Sequence, residues 1–221
     1  MAERVYAGRS AEQRVALRRE QFLAAGLEVF AAQGWAGSSV ADVCRTAGLS
    51  PRFFYELFAG REDLFAAVTA RIAEQVEHVV RDAVAAPADG PHGRARAVLV
   101  ALAGHFTADP RTVRVALMES LATPQFRRQR RELLESFSDL AARLMRALRD
   151  DPPDARAQAA LRASAAVLTG GLVELLVARA TAPGAPGTPP AAGPGPGDGD
   201  GGALSDLIDH LTAMYTAVAR L

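Results

Sequence analysis

Hydrophobic residues recur along most of this chain at the i, i+3, i+4 spacing that collects them on one face of a helix. Phe22, Gly26 and Phe30, with Leu23 and Leu27 beside them, form the first such stripe. It predicts a long helix over 14–33, ended by Gly34, with Trp35 packing on the turn. Ser39 opens a shorter helix. Its hydroxyl can cap free backbone N–H groups, Asp42 stands at capping-box spacing, and Val40, Val43 and Cys44 make a small apolar face that Gly48 terminates. Ser50 and Pro51 start a third helix, with Pro at the position where a missing N–H costs nothing. Phe54 and Phe58, four apart, should point inward, which leaves Arg52, Phe53 and Tyr55 facing outward or sideways. Helix, tight turn and helix in this order predict a helix-turn-helix, the unit that lays its second helix in the major groove of DNA.

The helical spacing then continues over 61–86, 93–108, 110–121, 125–150, 154–182 and 203–221, with a break at Pro87 to Pro91. Over 154–182 the pattern is apolar nearly all round, and Gly170 and Gly171 permit close backbone approach. Such a helix must be buried, either inside the chain or against a second copy. Pro183 to Gly202 is almost entirely Pro, Gly and Ala and predicts a disordered linker.

Composition sharpens this in three ways. Of 221 residues, 49% are hydrophobic, and Ala, Leu and Arg dominate over β-branched runs, so the expected fold class is all-α. The formal net charge is zero, which counts against a non-specific nucleic-acid coater but leaves room for a protein with one positive face. Lysine is absent, so every cationic contact falls to arginine, whose planar fork suits both phosphate and guanine. Base composition of the genome explains the missing lysine as well. One cysteine, no run of 18 apolar residues and no apolar core in the first residues together predict a cytoplasmic protein without disulfides or a membrane span.

The run from Arg18 to Leu64 resembles the N-terminal DNA-binding domain of the TetR family of transcriptional regulators. The features that match are FLAAGLEVFAAQGW, SSVADVCRTAGLS, FYELF and GREDLF, in that order and without a gap. Leu57 stands where the best-known version of the family has His, and Arg61 keeps a charge where it has Lys. The resemblance implies an N-terminal three-helix helix-turn-helix domain followed by a larger helical ligand-binding and dimerisation domain. On this chain the layout becomes an arm over 1–13, carrying Arg4 and Arg9, a DNA-binding domain over 14–62, and a regulatory and dimerisation domain over 63–221 that includes the linker 183–202.

Roles on the DNA side follow from position. Ser38 and Ser39, at a helix N-terminus, suit phosphate. Pro51, Arg52 and Phe53 lead the recognition helix, with Arg52 for guanine and Phe53 for a thymine methyl. Tyr55 can reach a phosphate, and Arg45 touches the backbone from the preceding helix. Arg61 matches the family's cationic phosphate contact. Taken one at a time, each of these residues is equally well a core aromatic or a solvated arginine; as a set they point to double-stranded DNA.

The family's second domain encloses a pocket for a small-molecule effector and pairs its last two long helices with those of a partner. Phe106, Met118, Phe137 and Met145 are the expected lining residues, and the effector itself is unidentified but apolar or amphipathic. Packed core explains the same four residues. His78, His92, His105 and His210 show no ligand spacing, so no metal and no cofactor is expected. Arg127, Arg128, Arg130 and Arg131 spread around a helix as a solvated face does, with an anionic ligand the sharper alternative. The expectation is a homodimeric, ligand-responsive regulator, most often a repressor in this family. The alternative is a helical enzyme or small-molecule carrier built on the C-terminal helices.

Overall fold

Every regular element among the described residues is helical. The computed structural model describes residues 10–147, 149, 152–181 and 200–219, without the side chains of 200–203 and 219. Arg4, Arg9 and most of the expected arm lie outside these residues, as does the expected linker over 183–199. The described chain divides into two compact units, the first ending at Ala70 and the second beginning at Arg71.

In the first unit, α1 (Ala11–Gly37) starts earlier than the apolar stripe predicts. Ser10 and Gln13 form a reciprocal capping box, Gln13 N–H to Ser10 Oγ at 3.1 Å and Ser10 N–H to Gln13 Oε1 at 2.9 Å. A polar signal therefore sets a start that hydrophobic periodicity places later. Gly34 interrupts the helix at φ 70°, a conformation that suits glycine, and the turn beyond it brings Trp35 back onto the core. Next come α2 (Val40–Ala47), α3 (Pro51–Tyr55) and α4 (Arg61–Ala85).

Aromatic rings tie these helices together. Phe22 meets Phe54 edge-on with centroids 5.4 Å apart and Phe58 at 6.2 Å, while Phe65 contacts Phe30 at 5.1 Å and Trp35 at 5.4 Å. Such pairs each add about 0.5–1.5 kcal/mol beyond the area they bury. Gly26 lets α4 approach, since a Cβ there would lie 3.1 Å from both Leu64 and Val68. The buried Leu64, Phe65 and Val68 explain why this unit reaches to Ala70 and not to 62.

The second unit holds the rest of α4 with α5 (Gly90–Ala108), α7 (Pro124–Ala147), α8 (Ala155–Thr181) and α9 (Asp200–Ala219). α7 packs on α8 and α5 on α9. Arg96 Nε reaches Asp209 at 2.8 Å, and the Tyr215 hydroxyl donates to Ala141 O at 2.6 Å. The helix expected over 110–121 is broken into a short α6 (Arg111–Val113), a π-helical turn (Arg114–Met118) and a 3-10 turn (Glu119–Leu121). The Ser120 hydroxyl donates to Ala116 O at 2.6 Å there, a local competition with the helical ladder. α9 begins at Asp200, inside the stretch whose composition predicts a linker to 202.

Candidate nucleic-acid interface

Two caps fix α2. Ser39 Oγ accepts the Asp42 N–H at 3.2 Å and the hydroxyl gives its own proton to the Asp42 carboxylate, which Arg45 also contacts. The Ser39 hydroxyl and then the Arg45 guanidinium hold the Asp42 carboxyl below its usual range. At the other end Gly48 takes φ 65°, ψ 26°, and Leu49 N–H closes on Cys44 O at 3.1 Å. That left-handed residue turns the chain sharply enough to launch α3 within three residues, from Ser50 through Pro51.

α3 is a single short helix held from behind. Phe54 is fully buried and Phe58 nearly so, while Tyr55 is 62% exposed and the Arg52 side chain is 85% exposed. Pro51 and Arg45 are exposed too. Phe53 is half-buried, roofed by the Arg18 guanidinium 4.3 Å above its ring. The structure thus brings Arg45, Pro51, Arg52, Phe53 and Tyr55 to one unit with their tips outward or sideways, as helical spacing predicts. Glu56 accepts from Arg52 Nε at 3.2 Å and lies 4.0 Å from Arg18. Arg18 has no signal in the local sequence, because only the packing of α1 on α3 places it beside the recognition helix.

Two expected phosphate contacts are turned the other way. Ser38 is buried and its hydroxyl donates to Trp35 O at 3.0 Å, so it orders the α1–α2 turn. Arg61 folds over the Trp35 ring at 3.8 Å and donates to Trp35 O at 3.0 Å and to Ser38 O. The physical reason is local: the positive end of α4 disfavours a cation, while the unpaired carbonyls of the preceding turn attract one. Cys44 is buried, and burial pushes its thiol up from the usual value. It is a small core residue, as its place on the apolar side of α2 predicts.

Residues 22–68 match the family described as bacterial regulatory proteins, tetR family. The N-terminal domain of the chain is thus of the TetR type. The TetR-like fold extends over the rest of the chain at low identity. A TetR-like transcriptional regulator from Rhodococcus sp. RHA1 superposes with a TM-score of 0.65 at 19% identity, covering 91% of this chain and 97% of that one. The fatty acid degradation regulator FadR from Bacillus halodurans gives a TM-score of 0.66 at 14% identity, covering 90% and 94%. A third structure, a transcriptional regulator from Rhodococcus sp. RHA1, gives 0.68 at 15%, covering 90% and 96%. Among curated proteins no sequence matches the chain closely enough to count as a relative. The TetR-family fold is that of a DNA-binding transcriptional regulator.

The second unit contains a cavity of about 210 Å³. Val76 and Val80 of α4, Val98, Leu102 and Phe106 of α5, Phe137 and Leu144 of α7, Leu172 of α8 and Tyr215 of α9 contribute to its wall. Of the four residues expected around an effector, Phe106 and Phe137 line this cavity. Met118 and Met145 are not on the wall. Met145 lies about 80° around α7 from Phe137 and is fully buried against Leu161 and Ala165 of α8. Met118 ends the π-helical turn, one residue beyond the cavity-lining Leu117. Helical spacing counted from the sequence cannot foresee a turn of that pitch. Among the described residues no group of three His, Cys, Asp or Glu is placed to hold a metal ion.

Proposed function

We propose that this chain is a cytoplasmic, homodimeric transcriptional repressor that reads a near-palindromic operator with α3 and responds to a small effector in the second unit. The observation that carries the DNA reading is the two-sided character of α3. Its back is locked by Phe54, and its front edge offers Arg52 and Tyr55 to solvent. Arg52 takes a guanine edge, Phe53 a thymine methyl beside Pro51, and Tyr55, Arg45 and the Ser39 cap take phosphates. Ser38 and Arg61 hold the turn that aims this edge. Their part in binding is to position the contacts.

The face of α8 supports dimerisation. This helix has a mean hydropathy of 1.6 over its most apolar 18 residues, yet only 17% of that window is buried in the chain. By length and composition alone it could cross a membrane. Its exposed side includes Ala163, Ala166, Val167, Gly170, Gly171, Leu175 and Ala178, with Arg162 and Glu174 as charged residues among them and Val167 74% exposed. Small residues at three- and four-residue spacing let a second helix lie close, and a partner copy covers this surface without a membrane. In a symmetric dimer the two α3 helices sit about one DNA turn apart, roughly 34–36 Å, and an effector acts by favouring a dimer with another spacing.

A gel shift against the protein's own upstream DNA tests the reading, repeated with Arg52→Ala and Tyr55→Ala. Binding should fall at least tenfold in each variant and weaken steeply with added salt. Absent binding, or binding indifferent to both substitutions, favours the carrier or enzyme alternative.

A further inference from the structure

The wall of the second unit's cavity is aliphatic or aromatic except at Arg94, Thr169 and Tyr215. The Tyr215 hydroxyl already donates to Ala141 O, and burial keeps it protonated by raising its pKa. Arg94, near the start of α5, is exposed and yet lines the cavity, so it stands where the cavity meets solvent. Its neighbours along α5 are committed, Arg96 to Asp209 and His92 to Thr216. Arg94 makes no ion pair or hydrogen bond among the described residues, and no acidic side chain lines the cavity to neutralise it. An uncommitted guanidinium at the mouth of an otherwise oily chamber selects for a ligand with one anionic end and an apolar body.

We propose that the effector is a small amphiphilic monocarboxylate, with its aliphatic body among Val98, Phe106 and Phe137 and its carboxylate on Arg94. The inference rests on the reading of this unit as an effector domain and adds the chemical class of the effector. A carboxylate matches the planar fork of arginine with two parallel hydrogen bonds, and burial of the chain supplies the rest of the affinity. The volume of about 210 Å³ lies below the roughly 300–1,000 Å³ of sites for drug-sized molecules, which favours a single chain or small ring over a fused polycycle.

The test is calorimetric titration of the full chain with decanoate, decanol, decyltrimethylammonium and butanoate, on the unaltered protein and on Arg94→Gln. Arg94 is a surface residue, and a thermal melt confirms that the variant folds. Decanoate should bind about tenfold or more tighter than decanol, with the quaternary amine weaker still and butanoate undetected. In Arg94→Gln the gap between decanoate and decanol should close. Equal binding of decanoate and decanol by the unaltered protein, or a gap that survives in Arg94→Gln, overturns the proposal. The gel shift without ligand runs in parallel. DNA binding with none of the four compounds bound overturns this inference and leaves the regulator reading intact, whereas loss of DNA binding strikes the reading beneath it.

Discussion

At the scale of single residues the sharpest reassignment is Arg61. Its guanidinium stacks on Trp35 and satisfies two carbonyls of the α1–α2 turn. Arg61→Ala should therefore lower stability by about 1–2 kcal/mol with no DNA present, from lost charge-assisted hydrogen bonds and the ring contact. A thermal melt that does not move would return Arg61 to a purely phosphate-binding role. Acid sensitivity is a second residue-scale consequence. Arg111 hydrogen bonds hold the Asp109 carboxyl below its ordinary 3.8, and Ser39 and Arg45 do the same for Asp42. A carboxylate with a depressed folded pKa stabilises the fold above its unfolded value and loses that contribution as pH falls through the folded one. Melting temperature should be level between about pH 6 and 8 and fall below about pH 4, less steeply in Asp109→Asn. The inward Phe54 and outward Tyr55 were legible from spacing alone. Ser38 and Arg61 were not, because their partners are the Trp35 and Ser38 carbonyls, and a sequence that shows a turn after Gly34 does not show which way its carbonyls point.

Among the elements, two glycines carry most of the geometry of the DNA-binding unit. A methyl at Gly26 meets Leu64 and Val68 at 3.1 Å, so Gly26→Ala should force α1 and α4 apart and cost about 1–3 kcal/mol. Gly48 has open space around it but a φ of +65°, so Gly48→Ala should cost about 1–2 kcal/mol through backbone strain alone. Chemical denaturation separates the mechanisms, since shortening Leu64 should rescue the first variant and leave the second unchanged. Helices that pair an apolar stripe with a polar cap or stop were readable in the sequence: α2 starts and ends where Ser39 and Gly48 place it, and α3 starts at Pro51 and α4 at Arg61 as expected, although α3 stops at Tyr55, short of Phe58. The π-helical turn at Arg114–Met118 was not readable, and Met118 at its end is not on the cavity wall. Its residues have ordinary helical propensity, so the wider pitch comes from packing and not from local preference.

For the whole molecule the sequence announced a helix, α8, that needs burial, and the chain by itself leaves most of it uncovered. The Cβ positions of Gly170 and Gly171 face open space, so Gly171→Leu and Val167→Glu should leave a monomer folded while abolishing its pairing. Light scattering coupled to gel filtration should show twice the 23.3 kDa chain mass for the unaltered protein and the single mass for either variant. A monomeric unaltered protein would remove the dimer from the account. The two units carry different claims, and the DNA claim is the one on which the regulator reading depends. It is tested most directly by an anisotropy titration of the protein against its own upstream DNA, comparing unaltered protein with Arg52→Ala and Tyr55→Ala across a salt series. Binding should be salt-sensitive and weaken at least tenfold in each variant, while both variants keep the melting temperature of the unaltered protein. Equal affinity in all three proteins would show that the exposed edge of α3 does not read DNA.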